Sequence, residues 1–141
     1  MALPTHLQLQ IASVDRMLVN EQVDEVEVPG SDGYFGVLPG HTPLLAMLQV
    51  GDLWYRKGNE THHFAVAFGF VEVQPDRVTI LAEIAERADE IDVARAEAAK
   101  RRAEERLART TAVDIDFERA RIAMLKSLIR LQVATRARMR S

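Results

Sequence analysis

The sequence of 141 residues contains no cysteine. This absence excludes disulfide scaffolds, thiolate metal sites and cysteine nucleophiles, and it suits a reducing cytoplasm. Long apolar runs are also missing, and none approaches the ~20 residues that a helix needs to span a bilayer. The first residues show no basic region followed by a continuous apolar stretch, so we expect neither a signal peptide nor direct membrane insertion.

Glycine and proline are missing from the second part of the chain. All seven glycines and all five prolines precede residue 76, so the turn signals are confined to the first part. There, polar and apolar residues alternate in short runs such as 6–11, 24–28 and 70–73, and runs 53–57 and 60–67 flank a Gly-Asn turn. Many short strands at close spacing predict an antiparallel sandwich or barrel.

The second part is predicted to form two helices. The first covers about residues 90–109 with Asp89 as its cap, and the second covers about 117–137 with a cap at Asp114 or Asp116. We therefore predict an α+β protein, with an antiparallel β-sandwich over 1–87 and an antiparallel two-helix hairpin over 88–141. An alanine-rich seam buries little apolar area, so both a firmly docked hairpin and a movable one are consistent with the sequence.

The net charge of −3 conceals an uneven distribution. Residues 1–88 carry 12 acidic and 5 basic side chains, whereas residues 89–141 carry 9 acidic and 13 basic ones. The two parts are therefore expected to meet different partners. Aromatic side chains number only eight, and one of them, Phe117, lies in the helical part. Few aromatic side chains are available there to stack on bases, so we expect no nucleic-acid partner.

Motifs for catalysis and for metal binding are absent. The sequence contains no Gly-x-Ser-x-Gly elbow, no nucleophile–base pair and no glycine-rich phosphate loop, so we predict no catalytic residue. His62 and His63 are adjacent and should point to opposite faces of a strand. They cannot readily bind one ion together, and with four histidines in all we predict no metal site.

Four motifs resemble the epsilon subunit of the bacterial F-type ATP synthase. They are the loop GVLPGHTPLL at 36–45, GFVEV at 69–73 with VTILA at 78–82, IDVARA at 91–96, and DFERA at 116–120. The motifs follow the order of the family and cover nearly the whole chain.

The resemblance implies a ten-strand sandwich, two helices and no catalytic activity. It implies a rotor subunit in the central stalk, peripheral to the cytoplasmic face of the bacterial membrane, that couples gamma to the c-ring in proton-driven ATP synthesis. The choice between proton and sodium is made in the c-ring and stays open. In this family a mobile hairpin folds on the sandwich or extends along gamma toward the beta and alpha subunits, where it inhibits ATP hydrolysis.

Some members of the family bind ATP when the hairpin is folded. The resemblance carries this role onto Glu86, Asp92, Arg95, Arg102, Lys126 and Arg130. No cofactor is required, and ATP would be a regulatory ligand. Lys126 stands where ATP-binding relatives have arginine, and it lacks the bidentate fork that suits phosphate. The alternative is that Asp92 and Arg95, three residues apart, form an ordinary solvated pair near a helix start.

The resemblance also places two contact surfaces. It puts Tyr34 and His41 near the c-ring and gamma, although many relatives have a carboxylate where this chain has Tyr34. It puts Arg119, Lys126 and Arg130 against an acidic segment of the beta subunit in the extended state, and such contacts should weaken with salt. The alternative for these three cations is a solvated helix face.

Overall fold

The computed structural model describes residues 3–109 and 115–139. Within these residues eight strands precede two helices, which confirms the predicted α+β class. The strands are β1 (Leu7–Ser13), β2 (Met17–Val23), β3 (Glu25–Gly30), β4 (Gly33–Val37), β5 (Leu44–Leu48), β6 (Gly51–Lys57), β7 (Glu60–Gln74) and β8 (Arg77–Arg87). A short 3-10 helix at Ala88–Glu90 leads into α1 (Val93–Arg109), and α2 (Ile115–Met139) follows.

Two long strands serve both layers of the sandwich. The first half of β7 pairs with β6 and its second half pairs with β5, while β8 pairs with β7 along both halves. One layer therefore contains β4, β3, β6 and one half each of β7 and β8. The other contains β2, β1, β5 and the remaining halves. Counted by layer, the eight strands give the ten segments that the resemblance implied.

The passage between layers occurs at Phe68 and Gly69. Both residues have left-handed backbone angles, with φ of 61° and 122°, and glycine is the residue that adopts such angles without steric penalty. A Cβ atom at position 69 would lie 2.0 Å from the carbonyl oxygen of Leu81 on β8. The crossing therefore depends on the close approach of two backbones, which only glycine permits here.

The prediction of a purely antiparallel sandwich is wrong at one pair of strands. β1 runs parallel to β8, with Gln8 opposite Arg77 and Ser13 opposite Ala82. Parallel partners need a connection longer than a hairpin turn, and the strands β2 to β7 provide it. The sequence analysis also missed β2, β4 and β5, because β2 buries the adjacent residues Leu18 and Val19 rather than alternating, and the other two have only five residues each.

The core fills the space between the two layers. Its largest fully buried side chains include Leu7, Leu9, Ile11, Leu53, Phe64 and Ile80. Near them Tyr55 donates its hydroxyl hydrogen to Glu21 Oε1 at 2.9 Å. Burial, reinforced by this carboxylate, raises the pKa of Tyr55 above its usual range, so the hydroxyl remains a donor at any physiological pH.

The start of the first helix differs from the prediction. Residues 88–90 form the 3-10 helix and Ile91 is extended, so α1 begins at Val93 rather than near residue 90. Asp92, not Asp89, caps the helix, because its Oδ1 accepts the backbone N–H of Arg95 at 3.0 Å. The second helix is longer than predicted. Asp116 lies inside its first turn, and Asp114 lies outside the described residues.

The hairpin is folded on the sandwich. Small residues form the contact between the helices, and Ala96, Ala103 and Ala120 are buried. α2 packs against β7, β6 and the 3-10 helix, which places its basic side chains beside acidic ones of the sandwich. Leu128 on α2 is 41% exposed.

Replacement of Gly69 by alanine tests the crossing point. We expect Gly69→Ala to lower the free energy of unfolding by about 2–4 kcal/mol, because the new methyl group meets the β8 backbone and the left-handed angle is strained. The matched control is Gly36→Ala, where the methyl group would meet nothing within 4 Å. Its expected effect in urea unfolding is within about 1 kcal/mol, and equal effects for the two variants would contradict this view of the crossing.

Candidate functional site at the hairpin–sandwich interface

The interface between α2 and the sandwich relies on charged contacts. Arg130 Nε donates to Glu86 Oε1 at 2.8 Å, and Arg136 Nη1 donates to Asp52 Oδ2 at 2.8 Å. The ammonium group of Lys126 lies 5.8 Å from the centre of the Phe68 ring, within the range of a cation–π contact. In each of these contacts the cation belongs to the helix and its partner belongs to the sandwich.

Four of the six residues predicted to bind ATP line one cavity. Glu86, Asp92, Arg95 and Arg130, together with Glu90 and Ala96, surround a space of about 180 Å³. The folded hairpin thus joins the end of β8, the start of α1 and the middle of α2. Arg102 and Lys126 do not line this cavity. Arg102 is exposed on α1, and Lys126 is directed toward Phe68.

Two carboxylates of this cavity are already paired with arginines. Glu86 accepts from Arg130, and Glu90 contacts Arg16 at 2.6 Å and Arg87 at 3.5 Å. The space is below the ~300 Å³ at which small-molecule sites usually begin. A phosphate group could therefore enter only if side chains move and the ion pair between Glu86 and Arg130 breaks.

A second cluster at the interface was missed by the sequence analysis. Asp52 is fully buried, and both of its carboxylate oxygens lie near His63 Nδ1, at 3.0 and 3.1 Å. His63 is 5% exposed, while its neighbour His62 is exposed and stacks on Tyr55. This confirms that the two histidines point to opposite faces.

The cluster could have been found from the sequence. The turn at residues 58 and 59 sets the pairing of β6 with β7, which places Trp54 opposite His63 and Asp52 opposite Ala65. Asp52 and His63 are therefore diagonal neighbours on one face of the sheet. The third member, Arg136, lies near the end of α2, and no pattern in the sequence predicts its contact with Asp52.

The predicted c-ring and gamma contacts lie away from this interface or at its margin. Tyr34 on β4 is about half exposed, and its hydroxyl oxygen accepts the backbone N–H of Asp52 at 3.0 Å. His41 is the last residue of the turn at residues 38–41, and its Nδ1 donates to the carbonyl oxygen of Thr42 at 2.6 Å. Arg119, predicted to contact the beta subunit, is exposed on α2.

An apolar row crosses the outer face of one layer. Met17 lies opposite Ala12, Ala12 opposite Leu81, Leu81 opposite Phe70, and Phe70 opposite Met47. Except for the alanine, each of these side chains is more than half exposed. A continuous exposed apolar surface of this kind marks an interaction site, and the sequence analysis did not identify it.

Across the described ranges 3–109 and 115–139, no three histidine or acidic side chains are grouped to hold a metal ion. In the same ranges, none of the helices is both long enough and apolar enough to cross a membrane.

Comparisons with known proteins identify the family. Residues 6–88 match the family described as ATP synthase, Delta/Epsilon chain, beta-sandwich domain, and residues 89–135 match its long alpha-helix domain. The chain belongs to the ATP synthase delta/epsilon family. It is 48% identical over 130 residues to ATP synthase epsilon chain 2 of Syntrophotalea carbinolica, covering 92% of this chain and 94% of that one. It is 47% identical over 127 residues to the epsilon chain of Nitratidesulfovibrio vulgaris, covering 90% and 94%.

The fold is also found in a solved assembly of this class. A chain in the Euglena gracilis mitochondrial ATP synthase structure, which contains OSCP, F1 and the c-ring, aligns with a TM-score of 0.81 at 21% identity, over 99% of this chain and 84% of that one. The comparisons confirm the resemblance noted in the sequence. The chain is an epsilon-type, non-catalytic subunit of a rotary ATP synthase complex, which links ATP synthesis to ion transport.

The cap of α1 gives a test of the site geometry. We expect Asp92→Ala to destabilise the chain by about 1 kcal/mol, because the first turn of α1 loses its side-chain acceptor. Asp89→Ala, which the sequence pattern alone would have singled out, serves as the control and should change the free energy of unfolding by less than about 0.5 kcal/mol. Thermal or urea unfolding of both variants measures the difference. A larger effect at Asp89 would contradict the assignment of Asp92 as the cap.

Proposed function

We propose that this chain is a central-stalk rotor subunit that couples gamma to the c-ring in proton-driven synthesis and inhibits ATP hydrolysis by releasing its hairpin. It would act at the cytoplasmic face of the bacterial membrane as a peripheral protein. The observation that supports the inhibitory role is the charged interface, in which Arg130 and Arg136 of the helix are held by Glu86 and Asp52 of the sandwich.

The docked and extended states compete for the same cations. In the docked state Glu86 occupies Arg130, so this guanidinium is unavailable to an acidic surface of the beta subunit. When the hairpin leaves, Arg130 can pair with such a surface, while exposed Arg119 is available in both states and Lys126 is released from Phe68. Partly exposed ion pairs contribute about 0–1 kcal/mol each. Modest differences in contact energy can therefore shift the populations of the two states.

The surfaces of the sandwich support the coupling role. The apolar row of Met17, Leu81, Phe70 and Met47 offers an area that a gamma subunit could cover. Tyr34 and the loop that carries His41 are exposed at other positions on the sandwich and supply polar and aromatic groups for the c-ring. Two separate surfaces are what a subunit needs if it is to connect two partners of a rotor.

Substitution of Glu86 tests the exchange of ion pairs. Glu86→Gln removes the docked partner of Arg130 and leaves the chemistry of α2 unchanged. We expect the hairpin to extend more often, so that the ATPase activity of the reconstituted complex falls by about twofold to fivefold, which corresponds to the loss of a pair of about 0.5–1 kcal/mol.

The matched control is Glu60→Gln, which removes an exposed carboxylate 3.4 Å from His62 on the same layer of the sandwich. ATPase activity with this variant should equal that of the wild type. Unchanged or higher activity with Glu86→Gln would contradict the proposed exchange, whereas equal inhibition by both variants would point to a general effect of lost acidic charge.

A second function, the sensing of ATP by the folded hairpin, is favoured by the cavity around Glu86, Asp92, Arg95 and Arg130. We propose that phosphate oxygens of ATP replace the Glu86 carboxylate at Arg130 and also reach Arg95. Guanidinium groups bind phosphate through paired hydrogen bonds. Because these residues come from β8, α1 and α2, bound ATP would hold the hairpin against the sandwich.

Calorimetric titration of the isolated full chain with millimolar ATP tests this second function. Arg95→Ala should weaken binding by about tenfold or more, as expected for the loss of a hydrogen bond to a charged group. Arg102→Ala should retain most of the affinity because Arg102 lies outside the cavity, and Arg101→Ala, at an exposed neighbouring position, is the control. The absence of binding by the wild-type chain would exclude the sensor while leaving the rotor function intact.

A further inference from the structure

The buried cluster of Asp52, His63 and Arg136 joins the hairpin to the interior of the sandwich. We propose that it is a proton-linked latch, in which His63 takes up a proton when Arg136 withdraws from Asp52, so that acidification releases the hairpin. This inference rests on the proposed release of the hairpin and adds the condition under which it occurs.

The geometry divides the cluster into a fixed part and a removable part. His63 on β7 and Asp52 on β6 belong to adjacent strands, and the contact of 3.0 Å between His63 Nδ1 and the carboxylate involves no residue of the hairpin. Arg136 is the removable member. It reaches Asp52 Oδ2 at 2.8 Å from the end of α2, and its own side chain is 50% exposed.

In the docked state the charges of the cluster balance when His63 is neutral. Asp52 is negative and Arg136 balances it, so the Nδ1–H of a neutral imidazole is sufficient as the second donor. The other ring nitrogen, Nε2, is buried and makes no hydrogen bond within the described residues. A proton added there would be a second cation beside one carboxylate, with a buried N–H that has no acceptor.

In the released state the two obstacles to protonation of His63, the neighbouring cation and the missing acceptor for Nε2–H, are removed. Arg136 leaves with α2, so a fully buried carboxylate remains with His63 as its immediate partner. Ala134 and Ala137 of α2 line the same cavity of about 410 Å³ as His63, and their departure opens the imidazole to water. Protonated His63 then balances Asp52 and can satisfy its Nε2–H with solvent.

Charged and titratable side chains from four elements lie around His63. Arg87 on β8, Asp89 in the 3-10 helix, His62 on β7 and Arg138 on α2 line the cavity. Arg87 contacts the carbonyl oxygen of Leu18 on β2 and the carboxylate of Glu90 in the 3-10 helix. Arg136, near the end of α2, contacts the Asp52 carboxylate.

The direction of the pH effect follows from the proton count. The released state binds more protons than the docked state, so docking strengthens as the pH rises and weakens as it falls. For one proton, the equilibrium constant for release changes by at most about tenfold per pH unit. A scan from about pH 8 to about pH 5 covers the interval in which the charge of an imidazole can change.

The test uses the full chain, whose lack of cysteine allows two labelling sites. Cysteines introduced at exposed Gln74 and Ala108 carry a donor and an acceptor fluorophore, and energy transfer reports the docked fraction from about pH 8 to about pH 5. We expect the equilibrium constant for release to rise at least about fivefold over this interval. Trp54 fluorescence, recorded in parallel, checks that the sandwich stays folded.

Two histidine variants form the matched pair. His63→Gln keeps an amide donor for Asp52 but cannot be protonated, so its docked fraction should be independent of pH. His62→Gln, at the adjacent exposed position, should retain the wild-type response. A pH response that survives in His63→Gln, or a wild-type docked fraction that is constant or rises on acidification, would overturn the latch.

A further variant keeps the test decisive if a histidine variant fails to fold. Arg136→Gln changes a half-exposed side chain, so the sandwich should fold normally. Its docked fraction at about pH 8 should be lower than that of the wild type and its pH dependence shallower. An unchanged docked fraction would contradict the role of Arg136.

The outcomes also separate the latch from the proposed function. If Glu86→Gln releases the hairpin while pH has no effect, the latch fails and the inhibitory hairpin stands. If no variant and no pH releases the hairpin, both proposals fail.

Discussion

The position of the hairpin on the sandwich depends on the carboxylate of Asp52. It is fully buried, and it contacts β7 through His63 and α2 through Arg136. A buried charge is tolerated only when it is paired, so the sandwich alone leaves Asp52 incompletely compensated. The hairpin supplies the missing cation. A buried group of the β domain thereby influences the position of α2.

The remaining contacts of α2 follow the same principle. Arg130 and Lys126 meet a carboxylate and an aromatic face, while the seam between the helices is made of alanines such as Ala96 and Ala103. Alanine buries little area, and the apolar term scales with area. The charged contacts of α2 with the sandwich are ones that another acidic surface or an anion can replace. This property supports the proposed exchange of partners by the hairpin.

The β-sandwich provides a stable base for that exchange. Its core is continuous between two layers, and the crossing at Gly69 carries β7 from one layer into the other. The layer opposite the interface presents the apolar row that includes Phe70 and Leu81. The domain therefore presents an exposed apolar row on one side and the charged surface that contacts the hairpin on the other.

Local patterns in the sequence were sufficient for part of this structure. Alternation identified β1 and the hairpin of β6 and β7, and the loss of glycine and proline after residue 75 identified the helices. The same patterns failed for β2, which buries Leu18 and Val19 together, and for the cap of α1, because a 3-10 helix intervenes between Asp89 and Asp92. Short-range signals do not report how a segment meets its neighbours.

The sequence by itself determined the α+β class, the two parts of the chain, the family and the absence of catalytic motifs, since each of these is carried by composition or by contiguous residues. Tertiary structure alone decided the parallel pairing of β1 with β8, the choice of Arg95 and Arg130 rather than Arg102 and Lys126 around the cavity, and the meeting of Arg136 with Asp52. These contacts join residues distant along the chain. Their formation depends on the packing of whole elements, which no local pattern encodes.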